Sequence, residues 1–211
     1  MTPLLRLELA TVVRTRVATA SALAAAGLVA LFVALASRES AIVAFTGYGR
    51  VVTGFGLAAV LVLPLLAIAA TAQVVPAARS AGVLEWYLSH PMSRDGCFAG
   101  LVAPRLAAVA GPAALAVVGL GVAAALAGAP VSVGVLARLL VVVLGQVVSF
   151  VGLGMVVSVG ARSAEQALVR GLIVWLACTL LLDFALIGAM LRWDVPPHLV
   201  FLLSALDPVQ A

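Results

Sequence analysis

The side chains that could do chemistry are few in this chain, and the types that are absent exclude two kinds of enzyme. All 12 basic residues are arginine, because the sequence contains no lysine. A P-loop ATPase needs a lysine to reach the terminal phosphates of its nucleotide, and pyridoxal enzymes need a lysine to form a Schiff base. The chain cannot run either reaction alone.

Metal and disulfide chemistry is not favoured either. The two cysteines, Cys97 and Cys178, lie far apart in the sequence, and the two histidines, His90 and His198, fall in different predicted loops. The chain has no CxxC pair and no disulfide framework. A single histidine in a loop is more often a solvated residue than a metal ligand. We therefore expect no metal site and no cofactor in this chain.

Three polar side chains stand inside otherwise apolar stretches. Asp183 and Gln146 lie about 13 and 16 Å from the same side of the membrane at 1.5 Å per residue, so they can share one level. Arg105 lies nearer the opposite side. A carboxyl group in a membrane is costly and often functional, so Asp183 either makes an interhelical hydrogen bond or belongs to a substrate pathway. No clustered carboxylate, histidine or nucleophile accompanies it, which disfavours an intramembrane enzyme.

A segment with polar and aromatic residues separates the second and third of five apolar stretches. It lies in a connection of about 22 residues, at positions 76–97, which is longer than two helices need. Gly82 precedes a short helical stretch with Leu84 and Trp86 beside Glu85, and Pro91 ends it. Such a segment can dock on another protein. Alternatively, it anchors among lipid headgroups, where tryptophan and tyrosine concentrate.

The composition predicts that membrane-spanning helices carry these residues. Apolar residues form 65% of the chain and charged residues 9%, whereas soluble domains carry roughly 25% charged residues. A helix satisfies its own backbone groups in lipid and needs about 20 residues to cross it. The sequence therefore predicts an all-α bundle of five transmembrane helices, near residues 17–36, 51–75, 98–127, 135–159 and 168–191.

Residues 1–16 predict an amphipathic helix. Thr2 suits the N-cap and Pro3 suits the first helical position, and leucine and valine then recur at helical spacing away from the arginines. This helix lies on the membrane surface or extends the first span into the cytoplasm. Ala34-Leu35-Ala36 also resembles a signal-peptidase site, but the leader is too long before its apolar core, so we expect the first span to be retained.

The distribution of arginine predicts the orientation. Eight arginines lie near the span ends on the side of the N-terminus, and four lie on the other side. Because cytoplasmic ends carry the excess of arginine, we expect a multi-pass plasma-membrane protein with its N-terminus in the cytoplasm. The apolar run Leu199–Leu203 is too short to span, and we expect it to lie on the outer surface.

Two pairs of small residues in the fourth predicted span allow close approach of helices. They are Gly145 with Ser149, and Gly154 with Ser158. Pairs at this spacing occur at helix contacts in membranes. We interpret both pairs as packing within the chain, and the alternative is a seam between two copies.

The polar segment also resembles a family motif. Its residues Gly82-Val83-Leu84-Glu85-Trp86-Tyr87-Leu88-Ser89-His90-Pro91-Met92-Ser93-Arg94 are similar to the G-T-L-E-x-L-L-x-x-P-x-S-R segment of type-2 ABC exporter permeases, with Val83 in place of threonine. Leu7-Glu8 and Arg14-Thr15-Arg16 resemble the start of that family, and Leu206-Asp207-Pro208 resembles its L-N-P after span five. Within the family, the likeness is greatest to the permease of the nitrous-oxide-reductase maturation transporter, a copper-processing system.

The resemblance implies a permease subunit that is not itself an enzyme. A separate cytoplasmic ATPase would bind and hydrolyse ATP, and this chain would couple that hydrolysis to export or to force transmission across the membrane. The resemblance further implies a second permease copy, an extracytoplasmic partner protein and a sixth span, and it implies no nucleic acid. The implied ATPase-coupling residues are Gly82, Leu84, Glu85, Trp86, Pro91, Ser93 and Arg94. The alternative function is a structural membrane scaffold that recruits a soluble partner.

Overall fold

The chain is mostly helical in the part that the structure describes. A computed structural model describes residues 16–39, 47–85, 94–126, 128 and 132–181, and none of these residues lies in a strand. A short helical turn covers residues 83–85. The longer elements are α1 (Arg16–Glu39), α2 (Gly47–Thr71), α3 (Val74–Ser80), α4 (Arg94–Leu126), α5 (Val133–Gly160), α6 (Ala164–Leu176) and a π-helical segment (Ala177–Leu181).

Three described stretches are long and apolar enough to cross a membrane. They are Gly54–Ser80, Asp95–Leu126 and Val133–Gly160, and a shorter apolar helix covers Ala18–Ala34. Large apolar side chains also cover the outside of the bundle, since Leu23 and Leu115 are each 73% exposed. Water does not favour such a surface, but lipid does. The described structure therefore agrees with the sequence prediction of an all-helical protein that is compatible with a membrane.

Several predicted features lie outside the described residues. They are the surface helix at residues 1–15, the outer part of the predicted fifth span from residue 182 and the apolar run Leu199–Leu203. The number of spans and the surface helix therefore remain predictions.

The second helix lies at the centre of the bundle. α2 packs against α1, α4, α5 and α6. Its fully buried side chains recur every four residues, at Phe55, Ala59, Leu63 and Ala67, as expected for one face of a helix. The Phe55 ring meets Phe32 of α1 edge to face, with ring centroids 6.2 Å apart, an arrangement that aromatic rings prefer.

Both ends of the predicted connection between the second and third spans differ from the structure. The connection at residues 76–97 is predicted as a loop, but α3 continues to Ser80 and α4 already begins at Arg94. Asp95 lies in the first turn of α4, where a negative charge is stabilised by the helix dipole. The prediction started the span at residue 98 because the spacing of apolar residues does not reveal a first turn that contains Arg94 and Asp95.

The sixth helix begins at Ala164, earlier than the predicted residue 168, because polar side chains cap it. Ser163 Oγ accepts a hydrogen bond from the Gln166 backbone N–H at 3.2 Å. In return, Gln166 Oε1 accepts one from the Arg162 backbone N–H at 2.9 Å. This pattern is close to the S-x-x-Q capping box, which satisfies donors that a helix start leaves unpaired.

Candidate functional site

The polar segment begins at α3, which is docked on the end of α5. Val74, Val75 and Pro76 are buried, and the two valines pack with Leu101 of α4 and Met155 of α5. Pro76 breaks no helical hydrogen bond, because first-turn N–H groups have no partner within a helix. The first turn therefore holds α3 in place.

A different helix caps α3. The Val75 backbone N–H donates to Ser158 Oγ at 2.9 Å, and both residues are buried. Gln73, in the N-cap position, makes no capping hydrogen bond with its side chain. Ser158 of α5 therefore replaces the usual cap and fixes α3 to α5.

Two arginines bind the last carbonyl groups of α5. Arg79 of α3 donates from Nη1 to the Ala161 carbonyl at 3.3 Å and from Nη2 to the Val159 carbonyl at 3.4 Å. Arg170 of α6 donates from Nη1 to the Gly160 carbonyl at 2.9 Å. Carbonyls at a helix end lack partners and attract cations. We call this meeting point of α3, α5 and α6, formed by Arg79, Ser158, Arg170 and residues 159–161, the arginine junction.

The chain turns away from the bundle directly after α3. Gly82 has a φ of 68°, in the left-handed region that residues with a Cβ rarely adopt. Its N–H donates to the Arg79 carbonyl at 3.1 Å, so it ends α3 as glycine commonly ends helices. Nothing lies within 4 Å of where a Cβ would stand at Gly82, so the backbone angle, and not space, explains the glycine.

The predicted coupling residues are only partly covered by the structure. Gly82, Leu84 and Glu85 lie together in the turn after α3, with Glu85 exposed and Leu84 half-buried. Trp86, Pro91 and Ser93 lie outside the described residues. Arg94 is the first residue of α4 and does not belong to the turn.

We expect Ser158→Ala to destabilise the bundle by about 1–3 kcal/mol, because it leaves the buried Val75 N–H without a partner. Ser149→Ala is the matched control on the same helix, since Ser149 is exposed and its Oγ bonds only the Gly145 carbonyl one turn earlier. Reversible unfolding in mixed micelles measures both changes. Equal stability of the two variants would show that the contact between Ser158 and Val75 contributes nothing.

Two prolines inside the long helices, Pro64 and Pro112, are matched by polar side chains on neighbouring helices. A proline has no N–H, so the carbonyl four residues earlier loses its partner. Pro64 frees the Val60 carbonyl, and Gln146 Nε2 of α5 donates to it at 3.0 Å.

The same arrangement occurs at Pro112. This proline frees the Ala108 carbonyl, and Ser21 Oγ of α1 lies 2.7 Å from it. Ser21 Oγ also lies 2.9 Å from the Ala18 carbonyl, but that carbonyl can pair within α1. The single hydroxyl hydrogen therefore goes to Ala108.

Gln146 bonds the freed carbonyl through the nitrogen of its amide, and the oxygen of that amide is buried. Gln146 is 4% exposed, and its Oε1 has no partner among the described residues. Thr179 Oγ1 in the π-helical segment is also buried without a described partner. Asp183, which is predicted to share a level with Gln146, lies outside the described residues. The sequence signal for the contact that is present was Pro64, four residues after Val60.

Two glycines let α5 and α6 approach α2 closely. A Cβ at Gly154 would lie 2.0 Å from Thr71 Oγ1, and one at Gly171 would lie 2.5 Å from Ile68 Cγ2. Both distances are shorter than real contacts allow. The interpretation of Gly154 and Ser158 as packing within the chain is therefore confirmed.

The other pair of small residues does not pack within the described bundle. Gly145 and Ser149 are both exposed, and a Cβ at Gly145 would have open space around it. The interpretation of this pair as intrachain packing is wrong for the described residues. The four-residue spacing places the members of each pair on the same face of α5. The face with Gly154 and Ser158 is buried, and the face with Gly145 and Ser149 is exposed.

The remaining chemistry-bearing residues form no cluster. Arg105 is half-buried, and its Nη1 donates to the Leu101 carbonyl one turn earlier in α4, so the guanidinium extends towards the helix end as long cations in membranes do. Cys97 is buried and Cys178 is half-buried, and no disulfide joins the two. Among the described residues, no three histidine, cysteine or acidic side chains are placed to hold a metal. His90 and His198 lie outside them.

Comparison of the whole chain with models of known protein families gives no match, and comparison with curated proteins gives none either.

Proposed function

We propose that the chain is the permease subunit of a type-2 ABC exporter. Its motif from Gly82 to Arg94 is the feature that points to this family, together with the similar residues near both ends of the sequence. In this proposal the chain has five spans or more, its N-terminus is cytoplasmic, and a separate ATPase binds the exposed turn after α3. A second permease copy completes the membrane part. The copper-processing role and an extracytoplasmic partner are proposed from the sequence resemblance.

The observation that carries the proposal is the attachment of α3, which directly precedes the exposed turn, to the proposed spanning helix α5. Glu85 stands six residues after Arg79, and Arg79 binds the end of α5 through two carbonyls. The buried hydrogen bond between Val75 and Ser158 makes a second link. In this proposal, the two links pass a push on the turn to α5, as a coupling segment requires.

The charges at this end of the bundle fit a cytoplasmic side. Arg79, Arg162 and Arg170 lie at the C-terminal end of α5, whereas Arg138 lies near its N-terminal end. Arginine is enriched at cytoplasmic span ends. This orientation places the exposed turn where a cytoplasmic ATPase could reach it.

We expect Glu85→Arg to abolish the stimulation of ATP hydrolysis that the chain gives to its ATPase, because it reverses the exposed charge at the contact. Membrane insertion should be unchanged. The measurement is ATP hydrolysis by the complex in lipid nanodiscs, with and without this chain. Glu165→Arg is the matched control, since Glu165 is also exposed at the same end of the bundle but lies outside the family motif.

Two results would contradict this proposal. Full stimulation by the Glu85→Arg variant would remove the turn from the coupling path. An ATPase that binds the unaltered chain but hydrolyses ATP at the same rate without it would favour the structural scaffold instead.

A further inference from the structure

An apolar groove runs along the outside of the bundle between α4 and α5. Its volume is about 450 Å³, and Phe98, Val102 and Leu106 of α4 form one wall. The other wall includes Val148, Gly152 and Val159 of α5. From Val148 to Val159 the helix rises about 16 Å, and one half of a hydrocarbon core is about 15 Å thick. The groove therefore has the length of one lipid acyl chain in one leaflet.

Two arginines bind the backbone at the end of the groove near Val159, and a third follows in the sequence. Arg79 Nη2 donates to the Val159 carbonyl at 3.4 Å, and Arg170 Nη1 donates to the Gly160 carbonyl at 2.9 Å. Arg162 lies three residues after Val159 in the sequence. All three arginines are exposed. Within the described ranges, none of the three forms an ion pair with an acidic side chain, and the Arg162 guanidinium has no partner there.

The acidic residues at this end do not cancel the positive charge. Six described positions carry arginine and three carry an acid, a formal excess of three positive charges; the arginines are Arg16, Arg79, Arg94, Arg105, Arg162 and Arg170, and the acids are Glu85, Asp95 and Glu165. Basic clusters at the membrane surface attract anionic lipid headgroups. Arginine also offers several donors in a fork that matches phosphate oxygens.

We propose that this groove and the arginines at its end bind one anionic phospholipid. The acyl chain lies in the groove between α4 and α5, and the phosphate lies beside Arg162 and the arginine junction. An acidic protein surface would satisfy the arginines but would leave the groove empty, so the groove favours a lipid. This inference does not depend on the proposed transport function.

The test is native mass spectrometry of the purified chain with equal amounts of phosphatidylglycerol and phosphatidylcholine of the same acyl chains. We expect the unaltered chain to retain phosphatidylglycerol in preference. Arg162→Gln should lower that preference about fivefold, the effect of one arginine near a membrane surface. Arg138→Gln, at the opposite end of α5, is the matched control and should leave the preference unchanged.

A second pair of variants tests the groove without touching the arginines. Gly152→Leu should lower retention of both lipids, because the new side chain fills the groove. Nothing lies within 4 Å of a Cβ at Gly152 or Gly145, so neither site should disturb the fold. Gly145→Leu, two turns away, should therefore retain lipid like the unaltered chain.

Three outcomes would overturn the proposal. Equal lipid preference in Arg162→Gln and Arg138→Gln would show that Arg162 does not bind the lipid headgroup. Equal retention by Gly152→Leu and Gly145→Leu would show that no acyl chain occupies the groove. Displacement of the bound lipid by an excess of inorganic phosphate would show that the arginines bind phosphate without the groove.

Discussion

Replacing Gln146 by leucine is expected to destabilise the bundle by about 1–3 kcal/mol, the cost of leaving a buried polar group unpaired. The unpaired group would be the Val60 carbonyl, which Pro64 deprives of its helical partner and to which Gln146 Nε2 donates at 3.0 Å. Leucine also removes Oε1, which has no described partner, so part of the loss is offset. The remaining cost therefore measures the single contact with Val60.

The decisive measurement is a double-mutant cycle. Pro64→Ala restores an N–H that can bond the Val60 carbonyl within α2, so Gln146→Leu should cost little in that background. Pro112→Ala is the matched control: it restores a partner for Ala108, which Ser21 serves, and it should leave the cost of Gln146→Leu unchanged. Unfolding in mixed micelles supplies the four free energies of each cycle. An unchanged cost in the Pro64→Ala background would refute the pairing of proline with glutamine.

Gly154→Val is expected to prevent close packing of α5 on α2 and to lower stability by about 1–3 kcal/mol or more. The new Cβ would lie 2.0 Å from Thr71 Oγ1 and 3.4 Å from the Ile68 Cα. Thr71 cannot easily give way, because its Oγ1 already bonds the Ala67 carbonyl at 2.7 Å. The backbone of α2 behind it is rigid as well. The helices must therefore move apart, which also weakens the contact of Ser158 with Val75.

The control for this variant lies two residues away. Gly152→Val adds the same atoms to α5 at a position with open space around its Cβ, so its stability should stay close to that of the unaltered chain. Thr71→Ala removes the nearest atom and should recover part of the loss in Gly154→Val. If both glycine variants unfold alike, helix propensity and not packing determines the result. Thermal unfolding in detergent, followed by circular dichroism, distinguishes the two cases.

Residue spacing in the sequence predicted which residues share a helix face, but not which faces meet. Gly154 and Ser158 contact α2 and α3, whereas Gly145 and Ser149 have the same spacing and are exposed. Both faces are apolar, so hydrophobicity does not separate the inside of this bundle from the outside. Whether a face is buried depends on which helix packs against it, and a single sequence does not show which helices are in contact.

The polar residues illustrate the same limit. Gln146 was singled out because an amide inside a span needs a partner, and the predicted companion was Asp183. The partner that the structure describes is a backbone carbonyl. Every residue has one, so residue types in the sequence do not distinguish it. Pro64 indicates that the Val60 carbonyl lacks its helical partner, but the sequence does not show which helix supplies a donor for it. Similarly, Gly82 was visible as a motif residue, while the contact of Arg79 with the end of α5 depends on tertiary structure.

The pairing of prolines with distant side chains also bears on the order in which the chain is made. Ser21 is synthesised before Ala108, so the Ala108 carbonyl freed by Pro112 can accept a hydrogen bond from Ser21 as soon as α4 packs on α1. The carbonyl freed by Pro64 has no such donor, because Gln146 lies 86 positions after Val60. An unpaired carbonyl in hydrocarbon is costly, so we expect α2 to remain near water, or near the insertion machinery, until α5 emerges. We therefore expect the helix at the centre of the finished bundle to complete its insertion late.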